Sequence, residues 1–214
     1  MSIMVFGGDA AAKLAALDKS QASIEFKLDG TILTANQNFL QAMGYTLSEI
    51  VGKHHSIFVD PEESKTPAYK EFWQKLGRGE FQQAQYKRFG KGGKEIWIEA
   101  SYNPLLNGRG TPYKVVKYAT DITAKTMEHA DLVGKVAAID RSQAVIEFQL
   151  DGTIITANQN FLSTLGYKLE EIAGKHHSMF VEKGARDSAE YRDFWTNLAN
   201  GEFHAGQYKR FGKD

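Results

Sequence analysis

The sequence repeats itself at a constant offset. Residues 18–92 align without a gap with residues 140–214, each position matching the one 122 further on, and about 45 of the 75 aligned positions are identical. The shared strings include DGTI, TANQNFL and GKHHS. This level of identity excludes chance, so the chain carries two copies of one folding unit. A copy of roughly 105–110 residues is within the usual size range of a single domain.

The second copy is shorter than the first. Residues 93–122 have no counterpart, because the sequence ends at Asp214. We therefore expect the second domain to lack its last two strands and the chain to be a fragment of a longer protein. The predicted organisation is an N-terminal helix over 1–20, a first domain over 21–122, a connecting helix over 123–142 and an incomplete second domain over 143–214.

Each copy begins with a helix and a pair of strands. The Ala-rich segment 10–17 predicts a helix. Apolar and polar residues alternate over 22–28, which predicts a half-buried strand, and 31–34 is its return strand. Asp29 and Gly30 predict a type I′ turn between them, because both central positions of that turn require positive φ.

Short helices follow the two strands. Asn36 is typical of a helix N-cap and Gly44 of a helix end. Thr46 and Glu49 predict a capping box for a second short helix. The second copy has Lys168 in place of Thr46, so we expect this cap to be lost there.

The remainder of a copy is one longer helix and three strands. Segment 66–76 carries apolar residues at helical spacing on one face, among them Trp73. Segments 81–89, 94–105 and 113–122 predict strands, with 90–93 as the turn between the first two. In the first of them, Lys87 and Arg88 are interpreted as solvated, as are Lys209 and Arg210 in the second copy. The alternative is a contact with a phosphate or a carboxylate. Together the elements predict an α+β domain with a five-stranded antiparallel sheet.

Residues 123–142 join the copies. The segment has no proline and one glycine, and Leu132, Val136 and Ile139 fall on one helical face. A helical connector is semi-rigid, unlike a flexible Gly/Ser tether, and can pass strain or rotation between domains.

Composition excludes several classes of function. Lys and Arg together number 26, as do Asp and Glu, so no net field attracts nucleic acid or anionic lipid. The chain has no cysteine, which excludes disulfides, thiolate metal sites and thiol catalysis. No apolar stretch approaches the roughly 20 residues of a membrane span, and the first residues do not form a secretory signal. Since no hydrolase or P-loop motif is present either, we expect a cytoplasmic protein that is not an enzyme.

The repeated strings resemble a known family. The series DGTI, ANQNF, GY, EI and GKHHS, present twice, with DIT closing the first copy at 121–123, resembles the PAS domain. The whole chain resembles the sensory end of bacterial tandem-PAS methyl-accepting chemotaxis receptors, a group that includes aerotaxis and biofilm-dispersion receptors. The resemblance implies a cavity between the sheet and the short helices that senses oxygen, redox state or a small ligand. It also implies a homodimer and a downstream signalling domain that drives a histidine kinase complex.

Two adjacent histidines in each copy are the sharpest candidates for cofactor binding. Since neutral imidazole is a good axial ligand of haem iron, His54, His55, His176 and His177 predict a haem b site where the resemblance places the cavity wall. Of each pair, His55 and His177 are the predicted iron ligands. The competing interpretation is that one histidine faces solvent and the other makes a structural hydrogen bond.

Tryptophans on the long helix suggest a different cofactor. Trp73 and Trp195 match, together with the histidines, positions that flavin-type aerotaxis receptors use, so FAD is the alternative to haem. Those receptors have a basic residue shortly after the histidine, where this chain has Val59 and Val181. A second hypothesis needs no cofactor: the PAS units are a scaffold for dimerisation, through their sheets and the apolar stripes at Leu14 and Val136.

Overall fold

The computed structural model describes residues 6–213, so residues 1–5 of the predicted N-terminal helix and the terminal Asp214 lie outside the described part. Two compact units meet in sequence between His129 and Ala130. The boundary falls inside a continuous helix, α5, which spans Thr123–Ser142, the same residues as the predicted connector.

The first unit is built on a five-stranded antiparallel sheet. Its helices are α1 (Phe6–Ser20), α2 (Gln37–Met43), α3 (Leu47–Ile50) and α4 (Pro67–Gly77). Its strands are β1 (Ala22–Phe26), β2 (Ile32–Ala35), β3 (Gln82–Phe89), β4 (Glu95–Leu106) and β5 (Pro112–Asp121). The spatial order is β2-β1-β5-β4-β3, so the last strand lies between the first and the fourth. The predicted α+β class and five-stranded antiparallel sheet are confirmed.

The turn between β1 and β2 differs from the predicted type. Gly30 has φ of 87°, whereas none of the described non-glycine residues, Asp29 included, has positive φ. The Gly30 N–H donates to Lys27 O at 3.0 Å, and the Asp29 carboxylate accepts from Thr31 N at 2.9 Å. The type I′ prediction was wrong because the carboxylate of Asp29 holds the turn in a form with a single left-handed residue.

Helix caps follow the sequence with one exception. Asn36 caps α2 by accepting from Phe39 N, and α2 ends at a left-handed Gly44. Glu49 accepts from Thr46 N at 2.9 Å, and Glu171 accepts from Lys168 N at 2.8 Å. The predicted loss of this cap in the second copy was therefore wrong, because the bond uses a backbone N–H that any residue type supplies.

The core of the first unit lies between the sheet and helices α2 to α4. Strand residues alternate sides, and in β5 Val115, Lys117 and Ala119 are all buried at alternate positions. Lys117 pairs in register with Tyr102 of β4. The inner face of the sheet therefore includes a lysine beside a buried tyrosine.

The second unit repeats the first half of this plan. Its helices after α5 are α6 (Gln159–Leu165), α7 (Leu169–Ile172) and α8 (Ala189–Ala199). Its strands are β6 (Ile146–Phe148) and β7 (Ile154–Ala157), which pair with each other. Residues 202–213 have no regular secondary structure. Within residues 6–213 no helix combines the length and the apolar character needed to cross a membrane.

Candidate functional site

The two histidines of the first unit lie where a loop runs along strand β2. A 3₁₀ turn spans His55–Phe58. The loop before it pairs with the β1–β2 hairpin, since His55 N donates to Gly30 O at 2.9 Å and Ile32 N donates to Lys53 O at 2.8 Å. Adjacent side chains on such an extended segment point to opposite sides. One histidine therefore faces the turn and the other the core.

His54 holds the hairpin turn. Its Nε2 donates to Asp29 O at 2.9 Å, and its Nδ1 accepts from Ser56 N at 3.1 Å, so the ring is the neutral Nε2–H tautomer. A Cβ at Gly30 would lie 2.5 Å from His54 Nε2, which shows how closely the ring covers the turn. Both ring nitrogens are thus used in structural bonds. His176 makes the matching bonds to Asp151 O and Ser178 N.

His55 is completely buried, with 0% of its surface exposed. Its Nδ1 lies 2.8 Å from the Tyr69 hydroxyl and its Nε2 lies 3.0 Å from the Tyr102 hydroxyl. Tyr69 belongs to α4 and Tyr102 to β4, so the imidazole links the long helix to the centre of the sheet. Aromatic rings enclose it, with those of Phe26 and Trp73 each at a centroid distance of 5.4 Å.

Burial controls the ionisation of this group of side chains. Desolvation, with smaller effects of Lys117, Arg88 and His54, holds the pKa of His55 well below its usual value. Burial raises the pKa of Tyr69 to about 12 and raises that of Tyr102 still further. At neutral pH the imidazole is neutral and both phenols are protonated. A neutral imidazole has one N–H and one lone pair, so one tyrosine donates to His55 and the other accepts from it.

Trp73 completes the aromatic shell. The side chain is buried, and its ring lies 5.5 Å from that of Phe26 in an edge-on arrangement. Its Nε1–H is buried without a hydrogen-bond partner among the described residues, although it is near enough to Tyr69 to lower the pKa of that hydroxyl slightly. Trp195 has the same unpaired Nε1. Unpaired buried hydrogen-bond donors are rare in proteins, so these two Nε1–H groups need a structural or functional explanation.

The predicted haem ligation does not fit His55. An axial ligand needs a ring nitrogen with a free lone pair directed at the iron. Here both nitrogens are within hydrogen-bond distance of phenols, and aromatic side chains occupy both sides of the ring. In this arrangement neither ring nitrogen is free to bind iron, and the prediction that His55 binds haem iron stays a prediction.

The second unit has a more open counterpart of the site. The Nδ1 of His177 lies 2.9 Å from the Tyr191 hydroxyl, as His55 does from Tyr69. No partner of its Nε2 is found within residues 6–213. Burial, with smaller effects of Arg210 and His176, lowers the pKa of His177 to about 4. A cavity of about 530 Å³ is lined by His177, Tyr191, Phe194, His204, Tyr208 and Arg210. The prediction that His177 ligates iron stays a prediction.

Four residues near His55 were not predicted from the sequence to belong to the site. Tyr69, Tyr102, Arg88 and Lys117 surround His55 or lie beside it on the inner face of the sheet. The interpretation of Arg88 as solvated is wrong, because its side chain is only 3% exposed. The alternative, a contact with a phosphate or carboxylate, stays a prediction. The signal was present in the period of two along each strand, since Lys117 stands between the apolar Val115 and Ala119.

Comparisons with known proteins agree with this geometry. Residues 32–119 match the family model described as PAS fold, and residues 142–214 match the model described as PAS domain. The Biofilm dispersion protein BdlA of Pseudomonas aeruginosa is 44% identical over 197 residues, covering 92% of this chain and 47% of that protein. The Aerotaxis receptor of Escherichia coli is 32% identical over 96 residues, covering 44% of this chain and 19% of the receptor. This chain therefore spans about half the length of the first relative and less of the second.

The fold alone is shared with more distant proteins. An RNA-binding Light-Oxygen-Voltage Receptor of known structure superposes with a TM-score of 0.51 at 21% identity, covering 66% of this chain and 40% of the other.

Proposed function

Because the chain belongs to the PAS domain family, with two such domains in tandem, we propose that it is the sensory input part of a chemotaxis-type receptor. In this proposal the first domain covers 21–122 and the second begins at 143. The signal is either the binding of a small ligand in the core of the first domain or a change in the redox state of a bound ligand. The chain carries out no catalytic step.

The observation that supports the proposal is the bridge through His55. The imidazole joins Tyr69 of α4 to Tyr102 of β4 in a site without exposure to water. A ligand or charge that competes for either phenol changes the contact between helix and sheet, because a buried polar group cannot be left unpaired without cost. Such a site converts a local chemical event into a displacement of α4 relative to β4.

A route outward from this bridge follows β4 to α5. Tyr102 and Trp97 lie on the same strand, and Trp97 N donates to the Thr123 hydroxyl at 2.9 Å. Ile122 N donates to Trp97 O at 2.8 Å. The first turn of α5 is thus bound to the strand that carries Tyr102, and we propose that the signal leaves the domain through this contact.

We assign the first domain to a ligand other than haem, and FAD is the cofactor that its residues support best. The unpaired Nε1 of Trp73 and the unpaired Nε of Arg88 supply donors for a polar group. Trp73 and Arg88 are the residues whose donors would contact a flavin, and His55 would position the Tyr69 and Tyr102 hydroxyls beside it. If one is bound, it supplies reversible redox chemistry, and the surrounding chain positions the ring and excludes water.

The partners and location are part of the same proposal. We propose a homodimer that acts on a downstream chemotaxis signalling domain and its histidine kinase complex, in the cytoplasm. The names of the two relatives and the lack of cysteine support this.

An absorption spectrum of the freshly purified chain, before and after dithionite, tests the cofactor. Bands near roughly 370 and 450 nm that bleach on reduction would identify a flavin, and they should disappear in His55→Leu and persist in the exposed-site control His129→Gln. A Soret band, or flavin bands unchanged in His55→Leu, would contradict the assignment.

Hydrogen exchange tests the route. The amides of residues 123–129 should exchange faster in His55→Gln than in the unsubstituted chain, and at an unchanged rate in Tyr113→Phe, a control at an exposed position outside the measured segment. Equal protection in all three would show that the core does not communicate with α5.

A cofactor-free dimerisation scaffold is the second candidate function. Several apolar side chains of α5 are exposed, with Leu132 and Val136 each at 58%. A colourless protein that still dimerises through this helix would favour the scaffold.

A further inference from the structure

Lys117 is buried in the first unit without an acidic partner. Its side chain is 1% exposed, in the middle of β5 on the face that meets the helices. The Nζ atom lies 4.9 Å from the centroid of the Tyr102 ring and 5.6 Å from that of Phe39. Neither a hydrogen bond nor an ion pair of Nζ is found within the described part of the chain. A cation–π contact alone does not replace the hydration of an ammonium group.

Arg88 is a second buried cation on the same face. Its Nη1 donates to Lys87 O at 2.7 Å, and its guanidinium lies over the Tyr86 ring at 4.6 Å. The nearest carboxylate is that of Glu63, half exposed and 3.5 Å away, and the Nε atom has no partner among residues 6–213. Arg88 therefore keeps donor capacity that the described residues do not use.

The two cations act on each other and on His55. Burial first, and then Arg88, hold the pKa of Lys117 well below its usual value. Both cations also lower the pKa of His55. Packing does not explain this arrangement, because apolar residues of similar volume in place of buried, unpaired charges are commonly neutral or stabilising. The rings that the two cations contact, those of Tyr102 and Tyr86, lie edge-on with their centroids 5.7 Å apart. One negative charge beside these two rings would therefore be near both cations and would offset the unfavourable burial of each.

We propose that the interior of the first unit, beside Tyr102 and under Phe39, binds a small anionic group held by the Lys117 ammonium and the Arg88 guanidinium. The anionic group is a carboxylate or a phosphate, and it belongs either to a free metabolite or to a dinucleotide such as FAD. The inference rests on the proposed sensory function, for which it names the ligand class.

The second unit supports the role of the arginine. Arg210 matches Arg88 at the repeat offset, and its guanidinium lies 4.9 Å from the Tyr208 ring as Arg88 lies over Tyr86. There the arginine borders the cavity of about 530 Å³ that also includes His177. The same residue thus borders open space in one copy and is buried on the inner face of the sheet in the other.

Thermal unfolding with three probes tests the proposal. Succinate, inorganic phosphate and FAD are each added at about 1 mM, where the general stabilising effect of salts is small. At least one probe should raise the Tm of the unsubstituted chain, because a ligand that binds only the folded state stabilises it. A rise with succinate or phosphate identifies a free anion, whereas a rise with FAD alone identifies a dinucleotide.

Two substitutions on the same strand separate binding from general stability. Lys117→Met should leave the Tm without probe unchanged or higher, and it should weaken the effective probe by at least about tenfold. Lys114→Met is the matched control, since Lys114 lies on the outer face of β5 with its Nζ 2.7 Å from Glu25 Oε2; it should keep the full rise. Lys117→Gln replaces the methionine variant if circular dichroism shows that the latter does not fold.

Two outcomes would overturn the site. One is a Tm that none of the three probes raises, and the other is an equal rise in the unsubstituted chain and in Lys117→Met. The sensory proposal fails separately, because unchanged exchange of residues 123–129 in His55→Gln would refute the output route while probe binding at Lys117 still stood.

Discussion

At the scale of single residues, the adjacent histidines His54 and His55 form hydrogen bonds in two different environments. His54 satisfies both ring nitrogens on backbone groups at the surface of a turn, whereas His55 satisfies both on phenols inside the core. The difference comes from the extended backbone before the 3₁₀ turn, which directs consecutive side chains to opposite sides. The two histidines could therefore exchange their roles only if the backbone conformation of this loop changed.

The Tyr102 hydroxyl should contribute measurably to stability. Tyr102→Phe removes the partner of His55 Nε2 and leaves that nitrogen buried and unpaired, so we expect the free energy of unfolding to fall by about 1–3 kcal/mol. Urea denaturation measures the change. Tyr113→Phe, at an exposed tyrosine of β5, is the control and should stay within about 0.5 kcal/mol. A loss as small as that of the control would mean that the Nε2 hydrogen bond contributes nothing.

Stability should fall as the pH is lowered through the histidine range. The folded-state pKa of His55 lies well below 6.5, and that of His177 lies at about 4. Below about pH 6.5 the unfolded chain takes up protons that the folded chain does not, so the stability is complete above that pH and is lost as the pH decreases towards 4. Each histidine then contributes about 1.4 kcal/mol per pH unit.

Urea unfolding at pH 7.5 and 5.0 measures this dependence. His55→Gln should reduce the difference between the two pH values, and His129→Gln, at an exposed position of α5, should leave it unchanged. A difference that is the same in His55→Gln as in the unsubstituted chain would show that other groups cause the pH dependence.

Only some residues of the site could be predicted from the sequence. It singled out His55 and His177 as the cofactor-binding histidines, because the resemblance places the GKHHS string at the cavity wall, and His55 is completely buried in the structure. It missed Tyr102 and Lys117, since each comes close to His55 only through strand pairing: Tyr102 is 47 residues from His55 along the chain and pairs in register with Lys117. Long-range register of this kind is not encoded in any local pattern.

At the scale of elements, the β1–β2 turn is a joint between the hairpin, His54 and α4. A Cβ at Gly30 would lie 2.5 Å from His54 Nε2 and 2.9 Å from Trp73 Cε2, at a φ of 87°. Gly30→Ala should therefore lower the free energy of unfolding by about 2–3 kcal/mol, from steric overlap added to backbone strain. Thermal or urea unfolding gives the value.

Gly52→Ala isolates the backbone contribution to that loss. Gly52 has φ of 79°, but a Cβ there would meet nothing within 4 Å. This control should lose only about 1–2 kcal/mol, the cost of the left-handed conformation alone. Equal losses in the two variants would refute the steric part of the argument.

Strand pairing should make the two hairpins unequal in protection. Strand β1 is paired on both sides, by β2 and β5, whereas among the described residues β6 pairs only with β7. In this chain we expect the amides of residues 145–156 to exchange faster than those of 23–34, because unpaired strand edges open more readily. Hydrogen exchange with mass spectrometry makes the comparison within one sample. Equal protection would mean that another segment completes the second sheet.

At the scale of the whole molecule, local patterns predicted the secondary-structure elements but not the order of the strands in the sheet. Segments and helix positions were readable from the sequence because capping residues and hydrophobic periodicity are local, and the predicted 66–76 helix is found as Pro67–Gly77 with Thr66 as its cap. The order of the five strands was not derivable from those local patterns. It places β5, the strand that leads into α5, at the centre of the sheet between β1 and β4.

Helix α5 should mediate self-association. Leu132, Val136 and Ile139 lie on one face and are all more than half exposed, which is unfavourable for a face that stays in water. A second copy of the chain can cover this face by an isologous contact, as in most homodimers.

Light scattering should give twice the mass of one chain. Val136→Lys should shift the mass towards one chain, whereas Ala138→Lys should not, since two residues turn the helix by about 200° to the opposite face. A strict monomer at high concentration, or the same loss of mass in both variants, would exclude this face as the interface.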